Sequence, residues 1–181
     1  LIFVALGLVM VYSASIALPD GPKYAKYSSS HFLVRHTISI LMAFGVGMLA
    51  FKVPTKVWDR LAPAIFIVAF LLLIVVLIPG IGKGVNGARR WIPLGIMNFQ
   101  PSELMKVGIV FALAKYFHTT DYKNIGKLQY LIVPALLIGI PLVIILKQPD
   151  LGTAIVLIAV SSIILYLAGL DIKIFGTIAF M

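Results

Sequence analysis

The sequence contains no cysteine, only six acidic side chains and three histidines, and just 12% of its 181 residues are charged. Without cysteine there is no disulfide, no thiol nucleophile and no cysteine-bound metal, and nothing indicates a redox compartment. His31, His36 and His118 are far apart in the sequence and are not spaced as metal ligands. These absences argue against a metal-centred enzyme built on cysteine or histidine.

Apolar residues are abundant instead: 61% of the chain is hydrophobic and its mean hydropathy is +1.10. Apolar runs of roughly 17 to 21 residues recur, each long enough to cross a hydrocarbon layer of about 30 Å as a helix. Helices are preferred over strands because the runs are continuous, and unpaired backbone groups in lipid cost several kcal/mol each. The sequence therefore predicts an all-α, polytopic transmembrane helix bundle.

The predicted spans cover residues 1–18, 34–51, 61–81, 101–117, 129–147 and 151–169, and residues 174–181 begin a seventh helix. We expect a single transmembrane domain over residues 1–181, truncated at both ends. The first run has no initiator Met and no preceding basic segment, and the last run stops within a helix.

The net charge is +9, which in a soluble protein would suggest nucleic acid. Here the charges lie in loops between apolar runs, where anionic membrane lipids are the natural partner and no nucleic acid is expected. Basic residues of short loops usually indicate the cytoplasmic side. One side has Lys52, Lys56, Arg60, Lys115, Lys123, Lys127 and Lys173, and the other has Lys23, Lys26, Arg35, Lys83, Arg89, Arg90 and Lys147. The two sets are equal, so charge alone does not orient the chain.

The loop over residues 82–95 is unusual for its adjacent arginines, Arg89 and Arg90, followed by Trp91. Asn86 and the neighbouring glycines favour tight turns, and tryptophan suits the headgroup level of a membrane. Arginine binds phosphate through paired hydrogen bonds and keeps its charge. The loop is interpreted either as a diphosphate-binding loop at the membrane surface or as an interfacial anchor.

Two segments resemble each other: Gln100-Pro101-Ser102-Glu103 and Gln148-Pro149-Asp150 each precede or begin an apolar run. Proline and an acid in the first turn are typical of a helix start. For Asp150 three roles are considered, in this order: helix cap, partner of a cation, and ligand of a divalent ion.

Lys106 lies within the fourth apolar run, where an unpaired, central lysine facing lipid would cost up to about 3 kcal/mol. Glu103 is three residues earlier, so an ion pair on one helical face is sterically natural. The alternative is a polar cavity in which Lys106, an arginine of the 82–95 loop and Asp150 meet an anionic, lipid-linked substrate.

Four motifs in order resemble the SEDS family of cell-wall proteins, which includes FtsW, RodA and SpoVE. They are Val11-Tyr12-Ser13-Ala14-Ser15, then Asn86-Gly87-Ala88-Arg89-Arg90-Trp91-Ile92, then Gln100-Pro101-Ser102-Glu103-Leu104 with Lys106, then Gln148-Pro149-Asp150-Leu151-Gly152-Thr153. The resemblance extends over essentially the whole chain, and the 83–91 segment resembles the division and sporulation branch more than RodA.

The resemblance implies ten transmembrane helices with both termini in the cytoplasm, of which this chain holds six and the start of a seventh. It places the Arg89–Arg90 loop, Gln100 and Asp150 outside and the Lys123–Lys127 loop inside. The implied activity is peptidoglycan glycosyl transfer, which polymerises lipid II in division, shape maintenance or sporulation. The family's catalytic acid is expected beyond Met181, so this chain alone is expected to be inactive. The implied substrate-binding set is Arg89, Arg90, Lys106, Glu103, Asp150, Asn86, Trp91 and Gln100.

The implied location is the bacterial cytoplasmic (inner) membrane, with several spans. The implied partners are lipid II, a class B penicillin-binding protein, and divisome or elongasome proteins. No cofactor is implied beyond a divalent cation that could bridge phosphate, and no protein metal site is predicted. Two other functions remain: a lipid II flippase, whose polar residues would line a translocation path, and a noncatalytic scaffold.

Overall fold

A computed structural model describes residues 2–17, 26, 28, 30–85, 88–93, 98–120 and 128–170. The elements in chain order are α1 (Ile2–Ser15), α2 (His31–Lys52), α3 (Thr55–Val75), β1 (Lys83–Val85), β2 (Ala88–Pro93), β3 (Asn98–Phe99), α4 (Pro101–Thr119), α5 (Leu128–Lys147) and α6 (Leu151–Leu167). The six helices coincide with the six predicted apolar runs, so the predicted helix bundle is confirmed. The predicted seventh helix, from residue 174, lies outside the described residues.

The helix boundaries differ most at α3, which begins at Thr55 and ends at Val75, whereas a span over 61–81 was predicted. Its first turns are polar, with Lys56, Asp59 and Arg60, so hydropathy alone does not detect them as part of a span. The chain beyond Val75 leaves the helix through turns, and Gly80 has a positive φ of 96°, a conformation that glycine adopts without strain.

Three described helices are long and apolar enough to cross a membrane: His31–Lys52, Thr55–Val75 and Gln129–Lys147. Helices α1 and α6 are apolar but shorter, with 14 and 17 residues. Helix α4 has 19 residues but includes Glu103, Lys106 and Lys115. Length and apolar composition together are thus met by three of the six predicted spans in the described part of the chain.

The chain divides into two compact units, residues 1–54 and 55–181. In the first unit α1 packs against α2. The single transmembrane domain over residues 1–181 stays a prediction.

In the second unit α3 and α4 pack closely, and α4 also contacts α5 and α6. The buried core consists of Ala69, Leu73, Met105, Ile109, Leu113, Ile145, Ala154 and Leu157. Gly108 allows the close approach of α3 and α4, because a Cβ atom there would lie 3.2 Å from the Cα atom of Phe66. This packing holds the ends of α4, α5 and α6 in fixed positions relative to one another.

The segment between α3 and α4 forms a three-stranded antiparallel sheet in the order β1-β2-β3, which the sequence analysis did not predict. Val85 pairs with Ala88, and Ile92 pairs with Phe99. Residues 86 and 87, outside the described part, are Asn-Gly, the strongest short hairpin signal between two strands. The signal was present, but the segment was interpreted only as a series of tight turns.

The turn that leads from α3 into β1 is tight at Gly82, the residue before β1. A Cβ atom at this position would lie 1.9 Å from the backbone oxygen of Val76, so no side chain fits there. Gly84, two residues later, has no atom within 4 Å of such a Cβ. Gly82 therefore allows the turn between α3 and β1 to close tightly against the Val76 carbonyl group.

Candidate functional site

Arg90, in β2, contacts the turn between α5 and α6. Its Nε donates a hydrogen bond of 2.8 Å to the backbone oxygen of Gln148, and its Nη2 donates to the backbone oxygen of Pro149. A cation at this place is favourable because the last carbonyl groups of a helix are unpaired and carry partial negative charge. Arg90 therefore ties the hairpin to the C-terminal end of α5.

Asp150 begins α6 and is only 7% exposed. Its Oδ1 accepts a hydrogen bond from the backbone N–H of Thr153 at 3.2 Å, and its Oδ2 accepts one from the Thr153 hydroxyl at 2.9 Å. This is the helix cap that the sequence predicts first among the roles of Asp150. The carboxylate also lies 3.8 Å from Nη1 of Arg90, so the predicted arginine partner is present as well.

Gln100, the residue before α4, connects the two similar motifs. Its Nε2 donates hydrogen bonds of 2.9 Å to both Oδ2 of Asp150 and Oγ of Ser102. The starts of α4 and α6 are therefore joined through one amide and one carboxylate. The sequence predicted these residues on the same side of the bundle, but not this contact.

Gln148, whose backbone oxygen accepts the hydrogen bond from Arg90, is itself 1% exposed. Its Nε2 donates to the backbone oxygen of Leu73 in α3 at 3.2 Å. Its Oε1 is buried and has no hydrogen-bond partner within the described residues. A buried amide oxygen without a partner is costly, and such atoms are concentrated at sites that bind water or ligand.

Lys106 and Glu103 form an ion pair of 2.9 Å on one face of α4, as the sequence suggested. Their side chains are 23% and 57% exposed. Over the described ranges, no ion pair links Lys106 to Asp150, and Lys106 does not line the cavity that contains Arg89. The geometry thus favours the local pair over a shared cavity with the arginines.

Arg89 has different surroundings from its neighbour. It is exposed and lines a cavity of about 470 Å³ between the hairpin and the end of α5. The cavity lining is Leu77, Gly84, Ala88, Arg89, Lys147, Gln148 and Pro149. It contains two cations and no acid, so the cavity is suited to an anion with more than one oxygen, such as a diphosphate.

Lys147 and Gln148 were not among the predicted site residues. Lys147 enters the sequence analysis only as a loop charge, although it directly precedes the Gln148-Pro149-Asp150 segment that resembles the start of α4. Trp91 is half-buried in β2, where it pairs with Lys83. Asn86 lies outside the described residues. In the described part of the chain, no three His, Asp or Glu side chains are grouped so that they could hold a metal ion.

Comparison with known proteins agrees with the motifs. The family model of the FtsW/RodA/SpoVE cell cycle proteins matches residues 1–181. The chain is 53% identical over 175 residues to the "Probable peptidoglycan glycosyltransferase FtsW" of Polynucleobacter necessarius, covering 94% of this chain and 40% of that protein. It is 47% identical over 172 residues to the protein of the same name from Burkholderia thailandensis, covering 94% and 37%.

Solved structures show the same fold. The crystal structure of the rod shape determining protein RodA from Thermus thermophilus matches with a TM-score of 0.73 and 30% identity, over 96% of this chain and 57% of that one. A structure of a peptidoglycan synthase complex, described as coordinating polymerization and crosslinking, matches with a TM-score of 0.74 and 28% identity, over 97% and 51%. The chain spans about two fifths of the length of the first curated relatives. With these matches and the confirmed helix bundle, the chain belongs to the FtsW/RodA/SpoVE family of polytopic membrane proteins.

Proposed function

We propose that a full-length protein carrying this sequence is a peptidoglycan glycosyltransferase that polymerises lipid II, and that this chain supplies the site for the departing diphosphate. The names of the relatives support the activity. The observation that carries the role of this chain is the cavity lined by Arg89 and Lys147 without an acid.

In the proposed reaction, the 4-hydroxyl of one lipid II attacks the anomeric carbon of a growing glycan. The new glycosidic C–O bond forms as the bond from that carbon to the diphosphate breaks, and undecaprenyl diphosphate leaves with the bonding electrons. The hydroxyl proton passes to a base, which the family resemblance puts beyond Met181. Negative charge grows on the leaving diphosphate, so fixed cations lower the barrier.

The described contacts support different roles for the residues of the site. Arg89 and Lys147 line the cavity and are available to contact the diphosphate. Arg90, Asp150 and Gln100 are joined to one another and to the ends of helices, and act as positioning residues. Because the Asp150 carboxylate accepts three hydrogen bonds and faces Arg90, a capping and positioning role is preferred to a metal-ligand role.

The relatives and the fold also support a multi-pass location in the bacterial inner membrane. A penicillin-binding protein of class B is the proposed partner, because one matching structure is that of a peptidoglycan synthase complex. Divisome or elongasome proteins are further proposed partners.

The test uses the full-length protein with a partner synthase that lacks glycan-forming activity, supplied with labelled lipid II. Wild type should give a ladder of glycan products. Arg89→Ala and Lys147→Ala should each lower the rate by about 10- to 100-fold, the worth of one hydrogen bond to a charged group. Lys83→Ala is the matched control, because Lys83 belongs to the same hairpin but does not line the cavity.

Normal rates in both cavity variants would refute the diphosphate site. The absence of any ladder from folded wild type, together with lipid II crossing proteoliposome bilayers, would refute the polymerase and favour a flippase. If the protein neither polymerises nor transports lipid II but still recruits the partner synthase, the results would favour a scaffold function.

A further inference from the structure

A second cleft, of about 580 Å³, lies between the first turns of α3 and the last turns of α4. Helix α4 rises about 1.5 Å per residue, so its two ends are about 27 Å apart. Gln100 and Asp150 are at the first end of α4, and Lys115 and His118 are near the other. The cleft is therefore separate from the proposed diphosphate site, at the opposite end of the helix.

Two contacts between α3 and α4 give this cleft a defined shape. The rings of Trp58 and Phe111 are stacked, with centroids 5.3 Å apart and planes 11° from parallel. Lys115 extends from α4 to Asp59 in α3, where its Nζ lies 2.7 Å from the backbone oxygen and 3.7 Å from Oδ2. The cleft thus has an aromatic wall and a cation that is held in place.

The charge of the lining is positive. Lys56 and Lys115 oppose one acid, Asp59, and the His118 imidazole can donate a hydrogen bond to an anion. Lys56 and His118 are exposed, and no hydrogen bond or ion pair engages either within the described residues. Lys115 and Asp59 largely neutralise each other, so Lys56 and His118 are available to an anion.

We propose that this cleft binds the headgroup of an anionic phospholipid. The phosphate would lie between Lys56 and His118, and the upper part of an acyl chain would lie along Trp58 and Phe111. A lipid is preferred to a soluble anion because the cleft is at the end of α3, a helix long and apolar enough to cross the membrane. Tryptophan and lysine at that level are the side chains that suit a headgroup region.

The sequence provides its own reporter for a test. These 181 residues contain two tryptophans, Trp58 and Trp91, so in a full-length protein whose other tryptophans are replaced by Phe, Trp91→Phe leaves Trp58 as the single tryptophan. The variant is reconstituted in phosphatidylcholine nanodiscs with rising fractions of brominated phosphatidylglycerol or brominated phosphatidylcholine. Bromine quenches indole at close range, so the anionic lipid should quench Trp58 at a lower mole fraction than the zwitterionic one.

Lys56→Gln in this background should weaken the preference for phosphatidylglycerol by about fivefold, the effect of one lysine near an anionic surface. Arg60→Gln removes the same charge from the same helix but does not line the cleft, so it should keep the preference nearly unchanged. Circular dichroism of each variant confirms the helix content before the quenching is compared.

Equal quenching by both lipids would overturn the proposal. An equal loss in Arg60→Gln and Lys56→Gln would also overturn it, because attraction would then be to the surface in general. Recovery of Trp58 fluorescence on adding millimolar inorganic phosphate would assign the cleft to a free anion instead of a lipid.

Discussion

Arg89 and Arg90 are neighbours in one strand, yet their side chains have different surroundings. Arg90 is bound to two backbone oxygens at the end of α5 and lies near the buried Asp150. Arg89 is exposed and shares a cavity with Lys147. Alternate residues of a strand point to opposite faces, so one arginine can hold the structure while the other remains available to a ligand.

Arg90→Ala should therefore lower stability more than Arg89→Ala. The substitution removes the charge-assisted hydrogen bonds of Arg90 and leaves the Asp150 carboxylate without a nearby cation. The free energy of unfolding should fall by about 2 kcal/mol. Arg89→Ala should change stability by no more than about 0.5 kcal/mol, as surface substitutions usually do. Thermal unfolding of both variants in the same detergent gives the comparison. Equal losses in the two variants would contradict the assignment of separate roles.

At the scale of elements, the position of the hairpin depends on the tight turn between α3 and β1. Gly82 leaves no room for a Cβ atom beside the Val76 oxygen, whereas Gly84 has open space around it. Backbone atoms cannot move aside as the end of a long side chain can. The hairpin must shift as a whole if a methyl group is added at residue 82.

Gly82→Ala should thus displace the hairpin and disturb the cavity that Arg89 lines, with a loss of about 1–3 kcal/mol. Gly84→Ala, the matched control in the same strand region, should be close to neutral. Limited proteolysis of the hairpin and thermal unfolding would report both effects. If Gly82→Ala resists protease as well as Gly84→Ala does, the close contact with α3 is wrong.

Two ends can be distinguished in the second unit. One end has Arg89, Lys147 and the joined starts of α4 and α6, and the other has the cleft with Lys56 and Lys115. Both ends are basic, which is why counting loop charges did not orient the chain. We propose that the Arg89 end faces outward, since glycan strands are built outside the cytoplasm.

These 181 residues contain no cysteine, so a full-length protein whose other cysteines are replaced can carry a single cysteine here for labelling. Gly84→Cys should react with a membrane-impermeant maleimide in cells whose outer membrane has been made permeable and whose inner membrane is intact. Thr119→Cys, an exposed position at the last residue of α4, should react only after the membrane is permeabilised. The unsubstituted chain is the control, and the reverse labelling pattern would invert the proposed orientation.

The helices could be predicted from the sequence because apolar length is a local property that membranes demand. Local reasoning also ranked the cap first among the roles of Asp150, and it offered the Glu103–Lys106 pair as one of two interpretations of Lys106; in both cases the partners lie three residues apart. It could not predict that Arg90 binds the end of α5, because those residues are 58 positions apart and meet only through packing. The role of Lys147 depends on the same long-range contact.

The 58 positions between Arg90 and Gln148 also affect the order in which the site forms during synthesis. Arg90 is made before Gln148, and at about 5–20 residues per second the delay is roughly 3 to 12 seconds. During this interval the hairpin lacks the carbonyl oxygens to which Arg90 will bind. The contacts of Arg90 form only when the turn between α5 and α6 has been synthesised and brought beside the hairpin, so the cavity beside Arg89 is completed some seconds after Arg89 itself is made.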